Sequence, residues 1–177
     1  MKPIGINSLS QNNSDWLAGR LPRAYGPTVL IADDSEADIY FLLRAFSTSK
    51  VTNPVFVVRS GAETMQYLAG EGRFADRSAY PLPRIVFLDL KMPTPDGLDV
   101  LKWKHRFDLG GILWVAMSNF DSVKTINEAY AAGATTFLTK PLDAADVKNL
   151  VEAFNDHWSI QDRAATSATL NCAPAAC

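Results

Sequence analysis

The chain has 177 residues, 47% of them hydrophobic and 20% charged, with a formal net charge of −2 at pH 7. This suits one packed domain with tails and argues against disorder of the whole chain, while the small charge gives no electrostatic case for nucleic acid or an anionic membrane. No apolar run reaches the length needed to cross a bilayer, and the Asn-, Ser- and Gly-rich start lacks an apolar signal core, so residence in the cytoplasm is the expectation.

Residues 1–26 read as an N-terminal arm, with Lys2, Arg20 and Arg23 against Asp15 and with Trp16, Leu17 and Leu21 as its apolar side chains. From Thr28 the chain alternates strand and helix five times. Val29–Ala32 reads as a first strand. Ser35-Glu36-Ala37-Asp38 has the form of a capping box and is followed by Ile39, Leu42, Leu43 and Phe46 at helical spacing. Residues 54–58 form a second strand and 61–69 a second helix, with Met65 and Leu68 facing inward. A long loop, opened by Gly70-Glu71-Gly72 and closed by Pro81-Leu82-Pro83, leads into a third strand over 84–88. A third helix spans 98–107, and a fourth strand 112–117. The fourth helix, 121–132, is stopped by Gly133, with Ser118, Asn119 and Asp121 as rival N-caps. A fifth strand covers 134–138. The fifth helix opens after Pro141 and sets Val147, Leu150, Val151, Phe154 and Trp158 along one face. His105 and His157 read as helix-end or surface residues, and Trp103 and Trp114 as packing residues. Residues 159–177 form a low-complexity tail holding both cysteines, Cys172 and Cys177, which fits a reducing compartment.

Short apolar strands alternating with amphipathic helices indicate an α/β domain, residues 27–158, with a parallel sheet covered on both faces. Three strands end in charge: Asp33-Asp34 after the first, Asp89 after the third and Lys140-Pro141 after the fifth. In a parallel sheet these ends emerge at one edge, where open α/β folds bind ligands. Three carboxylates and one ammonium gathered there suit a divalent cation and a phosphoryl group. Taken singly, each has a plainer reading: Asp33 or Asp34 as a helix cap, Asp89 and Asp96-Gly97 as turn residues, Lys140 as a solvated cation.

Asp33-Asp34, the stretch Asp89-Leu90-Lys91-Met92-Pro93-Thr94-Pro95-Asp96-Gly97, Ser118, Phe137 and Lys140-Pro141 together resemble the receiver domain of bacterial response regulators, over about residues 28–158. The loop from Gly70 to Pro83 is similar to that of a subgroup of stand-alone receivers, some partnered with phytochrome kinases. The resemblance implies a (βα)5 doubly wound sheet of strand order 2-1-3-4-5, the flavodoxin-like or CheY-like fold. It implies Asp89 as phosphoryl acceptor, and Mg²⁺ held by Asp34, Asp89 and the backbone carbonyl of Lys91, with Asp33 acting through water. It also implies Lys140 and Ser118 as ligands of phosphoryl oxygens, Ser118 and Phe137 as a switch, and a cis Lys140-Pro141 bond. The partners so implied are a histidine kinase or phosphotransfer protein, and a second copy meeting the face of helix four, strand five and helix five. The protein is then no enzyme beyond its own aspartyl phosphorylation and dephosphorylation. Asn119 and Phe120 depart from the small residues usual after Ser118, and altered phosphorylation or hydrolysis rates are expected. One rival reading is a phospho-independent interaction module with a vestigial site. Another, a metal-dependent phosphohydrolase, would want Asp-x-Asp after the first strand, where this chain has Asp33-Asp34-Ser35.

Overall fold

A computed structural model describes residues 27–107 and 109–161. The N-terminal arm with Trp16, Leu17 and Leu21, and the cysteines of the tail, lie outside the described residues. Five strands, β1 (Val29–Ala32), β2 (Val55–Val58), β3 (Ile85–Asp89), β4 (Leu113–Ser118) and β5 (Thr136–Thr139), alternate with five helices. These are α1 (Glu36–Thr48), α2 (Gly61–Ala69), α3 (Gly97–Lys104), α4 (Val123–Ala131) and α5 (Ala144–Ala153). The sheet is parallel throughout and ordered β2-β1-β3-β4-β5, as the resemblance implied.

Strands β1 to β4 are buried on both faces, which is why they read as continuous apolar runs, while the edge strand β5 is only half-buried. The side-chain period of two still sorts them. Val29, Ile31, Phe87 and Val115 face α1 and α5, packing on Ile39, Leu42, Phe46, Val147 and Leu150. Leu30, Val86, Leu88 and Trp114 face the other way, onto Tyr67, Leu68, Val100, Leu101 and Ala129 of α2, α3 and α4. Each fully buried aliphatic side chain contributes roughly 1.5–3 kcal/mol of transfer free energy.

The element ends differ from the expectation at several places. The α4 helix starts at Val123, not at 121, because Ser122 is the N-cap and accepts from Thr125 N at 3.1 Å. Ser118, Asn119 and Asp121 do not serve that role, and Ser118 is the last residue of β4. Asp96-Gly97 is a helix start rather than a free turn: Asp96 caps α3 in a full capping box with Asp99. The α3 helix ends at Lys104, and Phe107 folds back so that its ring sits 4.5 Å from that of Trp103. The α5 helix stops at Ala153, so Trp158 is not on it. Asn155, Asp156 and His157 are weak helix formers and make a 3₁₀ turn. That turn returns the Trp158 ring to the core beside Phe46 and Phe87, at 5.9 and 6.2 Å. The loop after α2 carries a further 3₁₀ turn, Gly72–Phe74, and Arg77 closes it by donating to the carbonyls of Tyr67, Leu68 and Tyr80. Ser159 to Gln161 also pair with the chain ahead of β2, through Thr52 N to Ser159 O and Gln161 N to Lys50 O.

Candidate functional site

The acidic residues come together at the C-terminal edge of the sheet because β1 and β3 are neighbours in register, Ala32 beside Leu88. Asp33 follows β1 and is 1% exposed; its Oδ1 accepts from Ser35 N at 2.9 Å. Asp89 ends β3 and is 4% exposed; its Oδ1 accepts from Lys91 N at 2.9 Å. Those backbone donors fix the plane of each carboxylate and leave its Oδ2 facing inward. Lys140 follows β5, where its N–H donates to Ser118 O, and the Lys140-Pro141 bond is cis as expected. A second cis bond, Thr94-Pro95, was not expected. Lys140 Nζ lies 2.6 Å from Asp33 Oδ2, 2.9 Å from Asp89 Oδ2 and 3.0 Å from Asp38 Oδ2.

The electrostatics are those of an acidic pocket around one ammonium. Burial is the largest influence on Asp33 and raises its carboxyl above the ordinary value of 3.8, against the lowering effect of Lys140 and Ser35 N. Burial alone would lower the Lys140 ammonium, but its close contacts with the Asp33 and Asp89 carboxylates together outweigh that and raise it above 10.5. The approach of Nζ to Asp33 Oδ2 is an ion contact without hydrogen-bond alignment, and that oxygen has no hydrogen-bond partner.

Asp34 is exposed, yet its carboxylate, with those of Asp33 and Asp89, puts ligand atoms within 4.8 Å of one another. An all-oxygen set of this kind, with a buried carboxylate oxygen lacking a hydrogen bond, fits a hard divalent cation. Ser118 is fully buried, and its Oγ accepts from Phe120 N at 3.0 Å. The ring of Phe137, on β5, is half-buried and packs on the α4 side of the sheet. Asn119 and Phe120 are both exposed, the Phe120 ring by 62%. His105 caps α3, 3.1 Å from Ala132 O, and neither it nor His157 belongs to the carboxylate group.

Asp38 was missed as a site residue. It stands at the third position of α1, where an acid is ordinarily a cap. The capping box is only half made. Ser35 Oγ accepts from Asp38 N at 3.3 Å, but Ser35 N is already held by Asp33, and the Asp38 carboxylate turns to Lys140 instead. The available signal was its place one helical turn after Asp34, on the helix that leaves the site.

Comparison with known proteins gives the same picture. The family model of the response regulator receiver domain matches residues 29–152. Among curated relatives, the probable methanogenesis regulatory protein FilR2 of Methanothrix harundinacea is 30% identical over 73% of this chain and 82% of its own length. The response regulator Rcp1 of Synechocystis is 26% identical over 73% of this chain and 87% of its own, and has been crystallised in an Mn²⁺-bound form. Among solved structures, response regulator RPA3017, from red light signaling of R. palustris, superposes with a TM-score of 0.67 at 33% identity, covering 77% of this chain and 99% of that one. The phosphorylated cyanobacterial phytochrome response regulator RcpA superposes with a TM-score of 0.63 at 27% identity, covering 76% and 94%. The chain, with its CheY-like fold and its charged residues at the sheet edge, belongs to the response regulator receiver domain family of two-component systems.

Proposed function

We propose that this protein is a single-domain response regulator that takes a phosphoryl group onto Asp89 from a histidine kinase or phosphotransfer protein and signals by protein–protein contact. The observation that carries the reading is the Lys140 ammonium, buried and 2.9 Å from Asp89 Oδ2, beside carboxylates arranged for a cation. The phosphorylated state of RcpA and the Mn²⁺-bound state of Rcp1 support the same chemistry.

An oxygen of Asp89 attacks phosphorus as the P–N bond to the donor's imidazole breaks, and the leaving nitrogen keeps the electron pair. Lys91 N holds the Asp89 carboxylate in one orientation for that attack. Lys140 supplies a fixed positive charge for one phosphoryl oxygen. Mg²⁺, held by Asp34, Asp89 and the Lys91 carbonyl with Asp33 acting through water, would neutralise charge on the other oxygens. Water later attacks phosphorus, releasing inorganic phosphate and restoring the carboxylate. Ser118, whose Oγ accepts from Phe120 N, turns its own O–H toward the phosphoryl group. Phe137 then moves inward, which biases the face of α4, β5 and α5 between two packings. That face presents Val123 and Tyr130, exposed by 75% and 47%, to a partner or a second copy.

Incubation with Mg²⁺ and acetyl phosphate, followed by intact mass measurement, tests the reading. The mass should rise by one phosphoryl group, only when a divalent cation is present, and Asp89→Asn should abolish the gain. Labelling that survives Asp89→Asn removes Asp89 from its role, and an unlabelled wild-type chain favours the phospho-independent module.

A further inference from the structure

Lys140 has three ammonium protons and, in this structure, three carboxylates around them: Asp33 at 2.6 Å, Asp89 at 2.9 Å and Asp38 at 3.0 Å. Asp33 and Asp89 are buried and already fix the ammonium between β1 and β3, so Asp38 is not needed to place it. Asp38 also stands outside the Asp33, Asp34 and Asp89 group whose oxygens suit a cation. Its side chain is 22% exposed, and among the described residues it is the one that accepts a hydrogen bond of good geometry from Lys140 Nζ. The carboxylate reaches the lysine because Ser35 N, its usual capping target, is taken by Asp33 Oδ1.

A phosphoryl group on Asp89 would need one of those three protons. Of the three contacts, only that with Asp38 has hydrogen-bond geometry, so Asp38 is the partner a phosphoryl oxygen would have to displace. We propose that Asp38 is a positioning residue that competes with the phosphoryl group for the Lys140 ammonium, weakening phosphoryl retention on Asp89. Asp38 thus sets how long the signal lasts without touching the reacting atoms. The inference rests on Asp89 being the acceptor.

The test uses the full chain with Mg²⁺, the phosphoryl mimic beryllofluoride and acetyl phosphate. Asp38→Asn keeps the shape of the first helical turn and removes the charge; Asp38→Ala repeats the test should the amide disturb that turn. Either should bind beryllofluoride about five- to tenfold more tightly, the coupling expected between charges in contact, and should hold the acyl phosphate correspondingly longer. Asp38→Glu should stay near wild type. In a Lys140→Met background the same substitution should change nothing, an epistasis that a merely structural role for Asp38 would not produce. A wild-type chain that takes up neither reagent overturns the Asp89 reading and this inference with it. A wild-type chain that takes up both, with Asp38→Asn unchanged or weaker, or equally improved without Lys140, overturns the Asp38 inference alone.

Discussion

Asp33 shows how the site and the stability of the fold pull in opposite directions. Its carboxyl is buried and titrates above its ordinary value of 3.8, so the ionised form is disfavoured in the folded chain. A group raised in this way stabilises the fold below its unfolded pKa and loses that contribution as pH rises through the folded value. Near neutral pH, therefore, ionised Asp33 destabilises the protein. Asp33→Asn should raise the unfolding free energy at pH 7, because burial is the largest influence on that carboxyl and outweighs its pairing with Lys140. Urea unfolding between pH 4 and pH 8 should show the gain shrinking toward acid, as wild-type Asp33 takes up its proton. A gain that is constant across that range would mean Asp33 is not the group responsible. Lys140 has the same sign at the other end: its pKa is raised above 10.5, so its contribution persists through neutral pH and fades only as pH climbs past the raised value. The charged residues at strand ends were legible because each follows an apolar run. Asp38 was not, since its role depends on which carboxylate reaches Ser35 N first, a competition that spacing does not reveal.

At the scale of elements, the loop from β3 to α3 is held by contact rather than by propensity. A Cβ at Gly97 would collide with the Asp89 carbonyl, and one at Gly61 would collide with the Pro95 carbonyl. The two glycines let the starts of α2 and α3 close on the loop that leaves β3. Gly97→Ala should therefore destabilise the fold by about 1–3 kcal/mol, the cost of overpacking a close-packed contact, and should slow labelling by acetyl phosphate. Chemical denaturation with parallel labelling rates would check it; full stability and full rate together would show that the loop yields freely. The strands were legible from their apolar runs, although β2, β3, β4 and β5 each begin one or two residues later than those runs suggest. The capping of α4 by Ser122 was hidden among four polar candidates. The end of α5 was hidden because Trp158 continues the apolar spacing of a helix that has already stopped.

For the whole molecule, topology was the most legible property, because right-handed crossovers leave few ways to order five parallel strands. What the sequence could not show is which surface a partner would meet. Val123 and Tyr130 leave apolar area in solvent on α4, whose buried Ala129 belongs to the cluster that Phe137 packs against. Sedimentation velocity with Mg²⁺ and beryllofluoride should show a shift from monomer toward dimer, and Tyr130→Arg should suppress it. A sedimentation coefficient indifferent to the mimic would place the readout on another face.

Asn53, fully buried ahead of β2, was also invisible in the sequence, since all its partners are distant. Its amide nitrogen donates to Pro27 O and His157 O, and its Oδ1 accepts from Ser159 N. One side chain thus rivets the first described residue to the turn after α5. The two ends of the described residues therefore lie side by side, at the opposite edge of the sheet from Asp33, Asp89 and Lys140. Residues 27–161 should accordingly tolerate splicing into a host protein through a single short seam, or circular permutation across that seam, with the charged edge left facing outward.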